Sequence, residues 1–349
     1  MSMLINPYVF GGPGFNPSTH IGSSGSPAYT YVKTYDWLTG TGFGTASTQR
    51  NAGIDFVRDF TFGKTDNYFG VSGSETPYAA AFPHTTASRL GAKFANPSPA
   101  LAGTSYDVDF NVTDTAVAFA HSSSPCVTVY AFSGSGFGTK FANPGTAVDS
   151  TAAYGVNFGI DGSYIAASKQ NSPYVAVYNW SGSGFGSKFS NPATYPSSRG
   201  NKVDFSRDMT MIAVAHETFP RVTAYPWSAA GFGTKLANPA TPPTGDGMGV
   251  SFSPDGLSLA VAHVTAPSIS VYPISVGGFG TKYGNPSPAI SGNSQNSPAF
   301  SGQSLDIAIK HDNSPRLTVH AWNPGFGTKY ANMPTISTYQ GAASFKTKI

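Results

Sequence analysis

The sequence predicts an all-β protein, a seven-bladed β-propeller with four antiparallel strands per blade and a ring closed by a C-terminal strand joining the N-terminal blade. Three observations carry this. One phrase recurs seven times at near-constant spacing. Each repeat holds four strand signals separated by turn signals. The last apolar segment supplies the one strand that the first repeat lacks.

The phrase reads Gly136-Phe137-Gly138-Thr139-Lys140-Phe141-Ala142-Asn143-Pro144. It returns at Gly184–Pro192, Gly231–Pro239 and Gly278–Pro286, and from Gly325 to Asn332 before Met333 replaces the proline. Arg89-Leu90-Gly91-Ala92-Lys93-Phe94-Ala95-Asn96-Pro97 is a degenerate copy and Gly42-Phe43-Gly44-Thr45 a truncated one. The copies begin at 42, 89, 136, 184, 231, 278 and 325, so the repeat is 47 residues long with a single spacing of 48. Within the unit at 249–286, Gly249-Val250-Ser251-Phe252 is a short strand A, and Ser253-Pro254-Asp255-Gly256 is a tight turn. Leu257–His263 is strand B, and Ser268–Tyr272 alternates as strand C after Pro267. Phe279–Tyr283 is strand D, stopped by Asn285-Pro286. A parallel β-helix has shorter coils and no place for these hairpins.

The ends favour a ring over an open array. Ala342-Ala343-Ser344-Phe345 copies the A-strand pattern of Val203-Asp204-Phe205 and Val108-Asp109-Phe110, whereas the N-terminus has no A strand of its own. Residues 1–349 therefore read as one domain. Blade 1 comes from 5–50 plus 341–349, and blades 2–7 from about 51–97, 98–144, 145–192, 193–239, 240–286 and 287–333. Pairing the last strand into the first blade removes free edges at the seam.

Composition narrows the classes. Charged residues are 11% of the chain, aromatics 13%, and the 40 glycines and 27 prolines are spread throughout, which disfavours long helices. A formal net charge of +3 is too small and too dispersed for a nucleic-acid protein. The single cysteine, Cys126, has no internal disulfide partner. The opening Met1-Ser2-Met3-Leu4-Ile5-Asn6-Pro7 has neither a basic nor an apolar signal region, and no run is apolar enough to span a bilayer. The expectation is a chain made in a host cytoplasm with no membrane insertion.

The hairpin Phe252-Ser253-Pro254-Asp255-Gly256 followed by Leu259-Ala260-Val261-Ala262 resembles WD40-type and YVTN-type propeller repeats, and the resemblance covers all seven units. No unit carries the Gly-His opening or the Trp-Asp ending of WD40 blades, so their His/Asp network is not implied. The Gly-Phe-Gly-Thr-Lys-x-x-Asn-Pro phrase resembles repeat proteins encoded by tailed bacteriophages, often among virion genes. This implies a tail, adhesion or decoration protein.

Four columns of residues are candidates for chemistry. Phe56, Phe110, Phe158, Phe205, Phe252, Phe300 and Phe345 read as core between blades. The residues before them include Asp55, Asp109 and Asp204, which face the channel. They either cap backbone groups of the next blade or, more remotely, hold an axial metal. His121, His216, His263 and His311, with Lys169 in the blade 4 place, end the B strands at one rim, as structural hydrogen bonds or a partner surface. Lys93, Lys140, Lys188, Lys235, Lys282 and Lys329 mark the outermost strands, where lysine blocks edge-to-edge pairing. Trp180, Trp227 and Trp322 are either packing between blades or sugar platforms. No Gly-x-Ser-x-Gly, HExxH or sialidase Asp-box is present.

The reading is therefore a non-enzymatic interaction module of a bacteriophage particle without a cofactor. Its partners would be other virion proteins or a host surface component. A glycan-binding propeller and, behind it, a metal-dependent lactonase-like hydrolase are the alternatives.

Overall fold

The computed structural model describes residues 20–25, 31–65, 67–85, 89–290, 292, 294, 297–332 and 345. Its hairpins follow from the turn chemistry. In blades 2–7 the phenylalanine closing strand A faces the residue seven positions later on strand B: Phe62 with Phe69, Phe110 with Val117, Phe158 with Ile165, Phe205 with Ile212, Phe252 with Leu259 and Phe300 with Ile307. The C–D turns need left-handed glycines, at Gly136 (φ 93°) and Gly184 (φ 111°) among others. At Gly136 a Cβ would also stand 2.8 Å from the Phe94 ring of the preceding blade.

Six sheets run A-B-C-D in chain order, as in blade 3: Ser105–Phe110, Ala116–His121, Val127–Ser133 and Gly136–Lys140. Blade 1 differs. His20–Gly25, Tyr31–Leu38 and Gly42–Ala46 pair in order, and Arg50–Asn51 adds to the far end of Tyr31–Leu38, so the outer strand is broken in two. Phe345 makes an antiparallel bridge to Ile21 and so brings the C-terminus to the inner side of this sheet. The rest of the segments assigned to blade 1 at 5–19 and 341–349 lies outside the described residues.

Blade 2 corrects one register. Its innermost strand is Val57–Phe62. Phe56, placed in the core by the sequence reading, is 46% exposed, and Asp55 lies in an exposed bend. The fixed seven-residue hairpin puts Thr61-Phe62 where Asp109-Phe110 stands in blade 3.

Between blades the core is aromatic. Trp180 packs edge-on against Phe141, Phe158 and Phe185, and Trp227 against Phe189, Phe205 and Phe232. Trp180, Trp227 and Trp322 are all buried, which denies a sugar their ring faces. The C-strand tyrosines Tyr130, Tyr178, Tyr225 and Tyr272 each donate to a carbonyl of the segment leading into their own blade, at 2.7–2.8 Å. The Lys-x-x-Asn part of the phrase is a local clamp. Each of Lys93, Lys140, Lys188, Lys235, Lys282 and Lys329 donates to the asparagine three residues on. The edge lysines are thus half-buried and fixed.

The histidine column is internal. His121, His216, His263 and His311 are buried, and each Nε2 meets the hydroxyl of the C-strand residue beside it: Thr128, Thr223, Ser270 and Thr318, at 2.8–3.2 Å. Burial lowers all four to about 4. In blade 4, Lys169 pairs with Asp149 at 3.4 Å instead.

The seam between blades 7 and 1 centres on Asp306, which is fully buried. Its carboxylate accepts from Trp37 Nε1 (2.9 Å), Thr39 Oγ1 (3.3 Å) and Tyr330 Oη (2.6 Å). On the other side of blade 1, Arg89 takes the place of the usual glycine and binds Asp36 bidentately at 2.9 and 2.6 Å.

Two outcomes follow from this frame. Asp306→Ala orphans three donors, two of them across the closing contact, and should cost about 2–4 kcal/mol, read by urea unfolding; a loss below about 0.5 kcal/mol would show that the seam does not depend on it. The folded histidines sit below their ordinary value, so the unfolded chain binds more protons between the two. Their contribution is complete above pH 6.5, the ordinary value, and disappears as pH falls towards about 4. The melting temperature should drop across that window, and a single His263→Gln variant should drop less than its parent.

Candidate functional site

Strand alternation sends Asp107 and Asp109 to the axis and Val108 and Phe110 into the core between blades. Equivalent positions in the other blades therefore build two layers around the channel. One contains Asp59, Asp107 and Lys202. The other contains Thr61, Asp109, Asn157, Asp204 and Ser251. Together they line a cavity of about 270 Å³ that opens among the A–B turns, beside Lys64, Ile160 and Arg207.

The floor is an ion cluster. Lys202 reaches from blade 5 across the axis to Asp59 of blade 2 and to Asp107 Oδ1 of blade 3, the latter at 2.6 Å. All three side chains are buried. Burial opposes the Lys202 charge, but Asp107 and Asp59 outweigh it and hold the ammonium above its ordinary value. Burial also lifts Asp107 well above the carboxylate range; Lys202 pulls it down and Asp59 pushes it further up. Gly155 lets the innermost strand of blade 5 come close, because a Cβ there would stand 2.9 Å from Lys202 Cα.

The upper layer is a set of latches between blades. Asp109 Oδ2 accepts from the Phe158 amide (2.9 Å), Asn157 Oδ1 from the Phe205 amide (3.1 Å) and Asp204 Oδ2 from the Phe252 amide (2.8 Å). One layer below, Asp107 Oδ2 accepts from Val156 N at 2.8 Å. Asp107, Asp109 and Asp204 thus cap the backbone of the following blade, the first of the two roles expected for the column.

Asp204 differs from its neighbours. Its remaining exposure is into the cavity rather than to bulk water, and burial pushes its carboxyl up to about 7. The Phe252 amide and Lys64 pull against this, and Asp109 adds to it. Lys64 comes from the A–B turn of blade 2 and places Nζ 2.8 Å from Asp109 Oδ1. Burial opposes its charge, but Asp109 outweighs burial, with Asp204 and Asp114 contributing, so the ammonium is held above its usual value. Asp114 aims it. Its carboxylate accepts from the Lys64 amide (2.7 Å), the Thr65 amide (3.0 Å) and the Thr65 hydroxyl (2.5 Å). Asp114 does this from a left-handed backbone (φ 55°) at a turn position where blades 4 and 6 have Gly162 and Gly256. Gly63 lies beneath it, where a Cβ would stand 2.4 Å from a carboxylate oxygen.

The structure thus brings Asp109 and Asp204 together at the axis and leaves Asp55 outside. The buried histidines, Lys169 and the outer-strand lysines line no part of the cavity. The sequence reading missed Asp59, Asp107, Lys202 and Lys64. Asp107 was within reach, because a residue two before Asp109 on a strand shares its face; Lys202 had no counterpart in other repeats to mark it, and Lys64 matches Arg207 only in the register that strand pairing reveals. Among the described residues, no three His, Cys, Asp or Glu side chains converge as metal ligands, and no helix is long and apolar enough to cross a membrane.

No protein-family model and no curated protein sequence matches the chain. Solved structures do. The periplasmic gluconolactonase of Pseudomonas aeruginosa superposes with a TM-score of 0.69 at 14% identity, covering 95% of this chain and 99% of that one. A protein from Bacteroides fragilis provisionally assigned as a 6-phosphogluconolactonase gives 0.72 at 13% identity, covering 94% and 98%. A protein of unknown function from Desulfotomaculum acetoxidans gives 0.68 at 14% identity, covering 94% and 99%. At these identities the likeness shows a shared fold. It also corrects the expectation of a non-enzymatic virion component. Propellers of this size and blade count include proteins named as lactonases, and none of the three points to a phage particle, so the hydrolase alternative is the one they favour.

Proposed function

We propose that the chain is a hydrolase of cyclic esters that works in the axial cavity, with Asp204 as general base and Lys64 as the cation facing the developing oxyanion. The supporting observation is the Asp204 carboxyl, raised to about 7 inside a cavity that also holds a fixed ammonium. A base is most effective when its pKa lies near the working pH, and burial supplies that shift here. The shared architecture with proteins named as gluconolactonases agrees with this reading.

In the reaction, Asp204 takes a proton from water as the water oxygen bonds to the lactone carbonyl carbon. The carbonyl oxygen becomes an oxyanion beside Lys64, whose charge is already in place and needs no reorganisation. The tetrahedral adduct collapses by breaking the bond between the acyl carbon and the ring oxygen. Asp204 returns its proton to that oxygen, and a hydroxy acid leaves. Asp109 has no part in the proton transfer; it holds Lys64 and latches blade 4. The cavity volume of about 270 Å³ sits at the lower end of ligand pockets, which suits one small ring.

Two measurements test this. Lactone opening followed by acid release should rise with pH to a plateau with an apparent pKa of about 7, and Asp204→Asn should lose about 10²–10⁴-fold in kcat/KM. Hydrolysis of no lactone in a panel of γ- and δ-lactones, or a variant as active as its parent, would sink the assignment. The second reads stability. Asp204 binds its proton more tightly when folded than when unfolded, so its ionisation opposes folding increasingly as pH rises from the ordinary carboxylate value towards about 7. Asparagine keeps an oxygen for the Phe252 amide and removes the charge. Asp204→Asn should therefore melt a few degrees higher than the parent at pH 8, with the gain shrinking to nothing near pH 4.

A further inference from the structure

The axial latch of blade 4 is an amide where its neighbours are carboxylates. At this register the blades hold Thr61, Asp109, Asn157, Asp204, Ser251 and Ala299. Asn157 thus stands between the candidate base and the carboxylate that holds Lys64, and it lines the cavity with them. The Phe205 amide fixes which way the carboxamide lies. A backbone N–H can only donate, so the atom 3.1 Å from it is the oxygen, and the NH2 group is turned to the other side. There Nδ2 lies 3.4 Å from Asp109 Oδ2, a long contact, and among the described residues it has no other hydrogen-bond partner.

Asp109 therefore carries a side-chain donor on each oxygen, Lys64 Nζ on Oδ1 at 2.8 Å and Asn157 Nδ2 on Oδ2. One carboxylate sets the spacing of an ammonium and an amide, and both belong to residues of the cavity lining. The latch itself does not call for this NH2 group. It needs only an acceptor, which aspartate supplies in blades 3 and 5. Avoiding a charge does not call for it either, since blades 6 and 7 do so with Ser251 and Ala299. Asparagine is the residue that keeps the acceptor, carries no charge and adds a fixed donor.

We propose that Asn157 is a catalytic residue of the lactone hydrolase, its carboxamide N–H donating to the lactone carbonyl oxygen beside Lys64 and tightening as that oxygen becomes an oxyanion. This rests on the lactone-hydrolase reading and supplies the second donor of its oxyanion site. No proton changes hands at Asn157; the amide stays neutral while the adduct forms and collapses. A donor aimed at developing charge stabilises the adduct more than the bound ester, so its loss falls on kcat rather than on KM.

The experiment uses two substitutions taken from sibling blades, where each residue already stands at this register: Asn157→Ser, as in blade 6, and Asn157→Asp, as in blades 3 and 5. On a lactone that the parent opens, Asn157→Ser should lower kcat about 10²–10³-fold with little change in KM. Its pH–rate limb should stay at about 7, because Asp204 keeps its own partners. Asn157→Asp keeps an acceptor for the Phe205 amide but sets a third carboxylate between Asp109 and Asp204. Its kcat should fall at least as far, and its limb should move to higher pH. A purely structural latch gives the opposite order, with Asn157→Asp active as the parent and Asn157→Ser merely less stable. That order, an unchanged kcat in Asn157→Ser, or a loss confined to KM would overturn the proposal and leave the reaction assignment standing. If the parent opens no lactone, the reaction assignment fails by itself. Calorimetric binding of a cyclic phosphonate, a tetrahedral anion shaped like the adduct, then decides the donor role: it stands on an affinity about 10–100-fold weaker in Asn157→Ser and falls on an affinity that does not change.

Discussion

The hydrogen bond from an axial side chain to the amide of the next blade is the contact on which the molecule depends. Asp109 to Phe158, Asn157 to Phe205 and Asp204 to Phe252 repeat one bond at one place in three successive blades. A propeller blade has its own sheet hydrogen bonds, and much of what joins it to its neighbours is apolar packing, which is strong but not directional. The latch gives direction. It ties neighbouring innermost strands together at a defined register where it occurs. It also satisfies an amide that would otherwise face the channel unpaired.

The same bond creates the chemistry. To latch the next blade, an acceptor must sit on the axis, and where that acceptor is a carboxylate a charge is drawn out of water. Three answers to this cost are present. Asp107 and Asp59 share Lys202; Asp109 takes Lys64; Asp204 has no cation in contact among the described residues and answers by holding its proton to about 7. Asn157 avoids the cost altogether. The candidate base is therefore the structural latch whose counter-ion is missing, and a site of this kind sits naturally at the edge of what the fold tolerates.

The 47-residue metre and the turn residues made the blade count, the strand order and the use of the C-terminus readable in the sequence, because each is a local property repeated many times. Blade 2 shows where this stops. Asp55-Phe56 and Asp59-Phe60 both copy the Asp-Phe pair of other A strands, yet the hairpin spacing aligns Thr61-Phe62 instead. The pattern of one strand cannot report where its partner begins, and pairing decides the register. The histidines were legible as a column but not as buried groups, since their hydroxyl partners lie seven residues away on the adjoining strand, in a pairing the sequence does not display. Lys202 and Lys64 were illegible for a plainer reason: their partners are 143 and 45 residues distant.

Uniform repeats read as a scaffold, and the geometry shows how such a ring can nevertheless gather a cluster of charged groups. A propeller converges on its axis only one or two positions from each blade, so a reactive cluster needs one changed residue per repeat and leaves the rest of each phrase untouched. Asp107, Asp204, Lys202 and Lys64 each look like a minor departure from consensus within their own unit. They become a site only when blades 2, 3 and 5 are placed around a common centre. In a closed ring of repeats, the position to examine is the one that every unit sends inward, and the informative signal is disagreement among the copies there. By that measure blades 2, 3 and 5 differ most from blades 6 and 7 at the axis, where aspartate and lysine give way to glycine, serine and alanine.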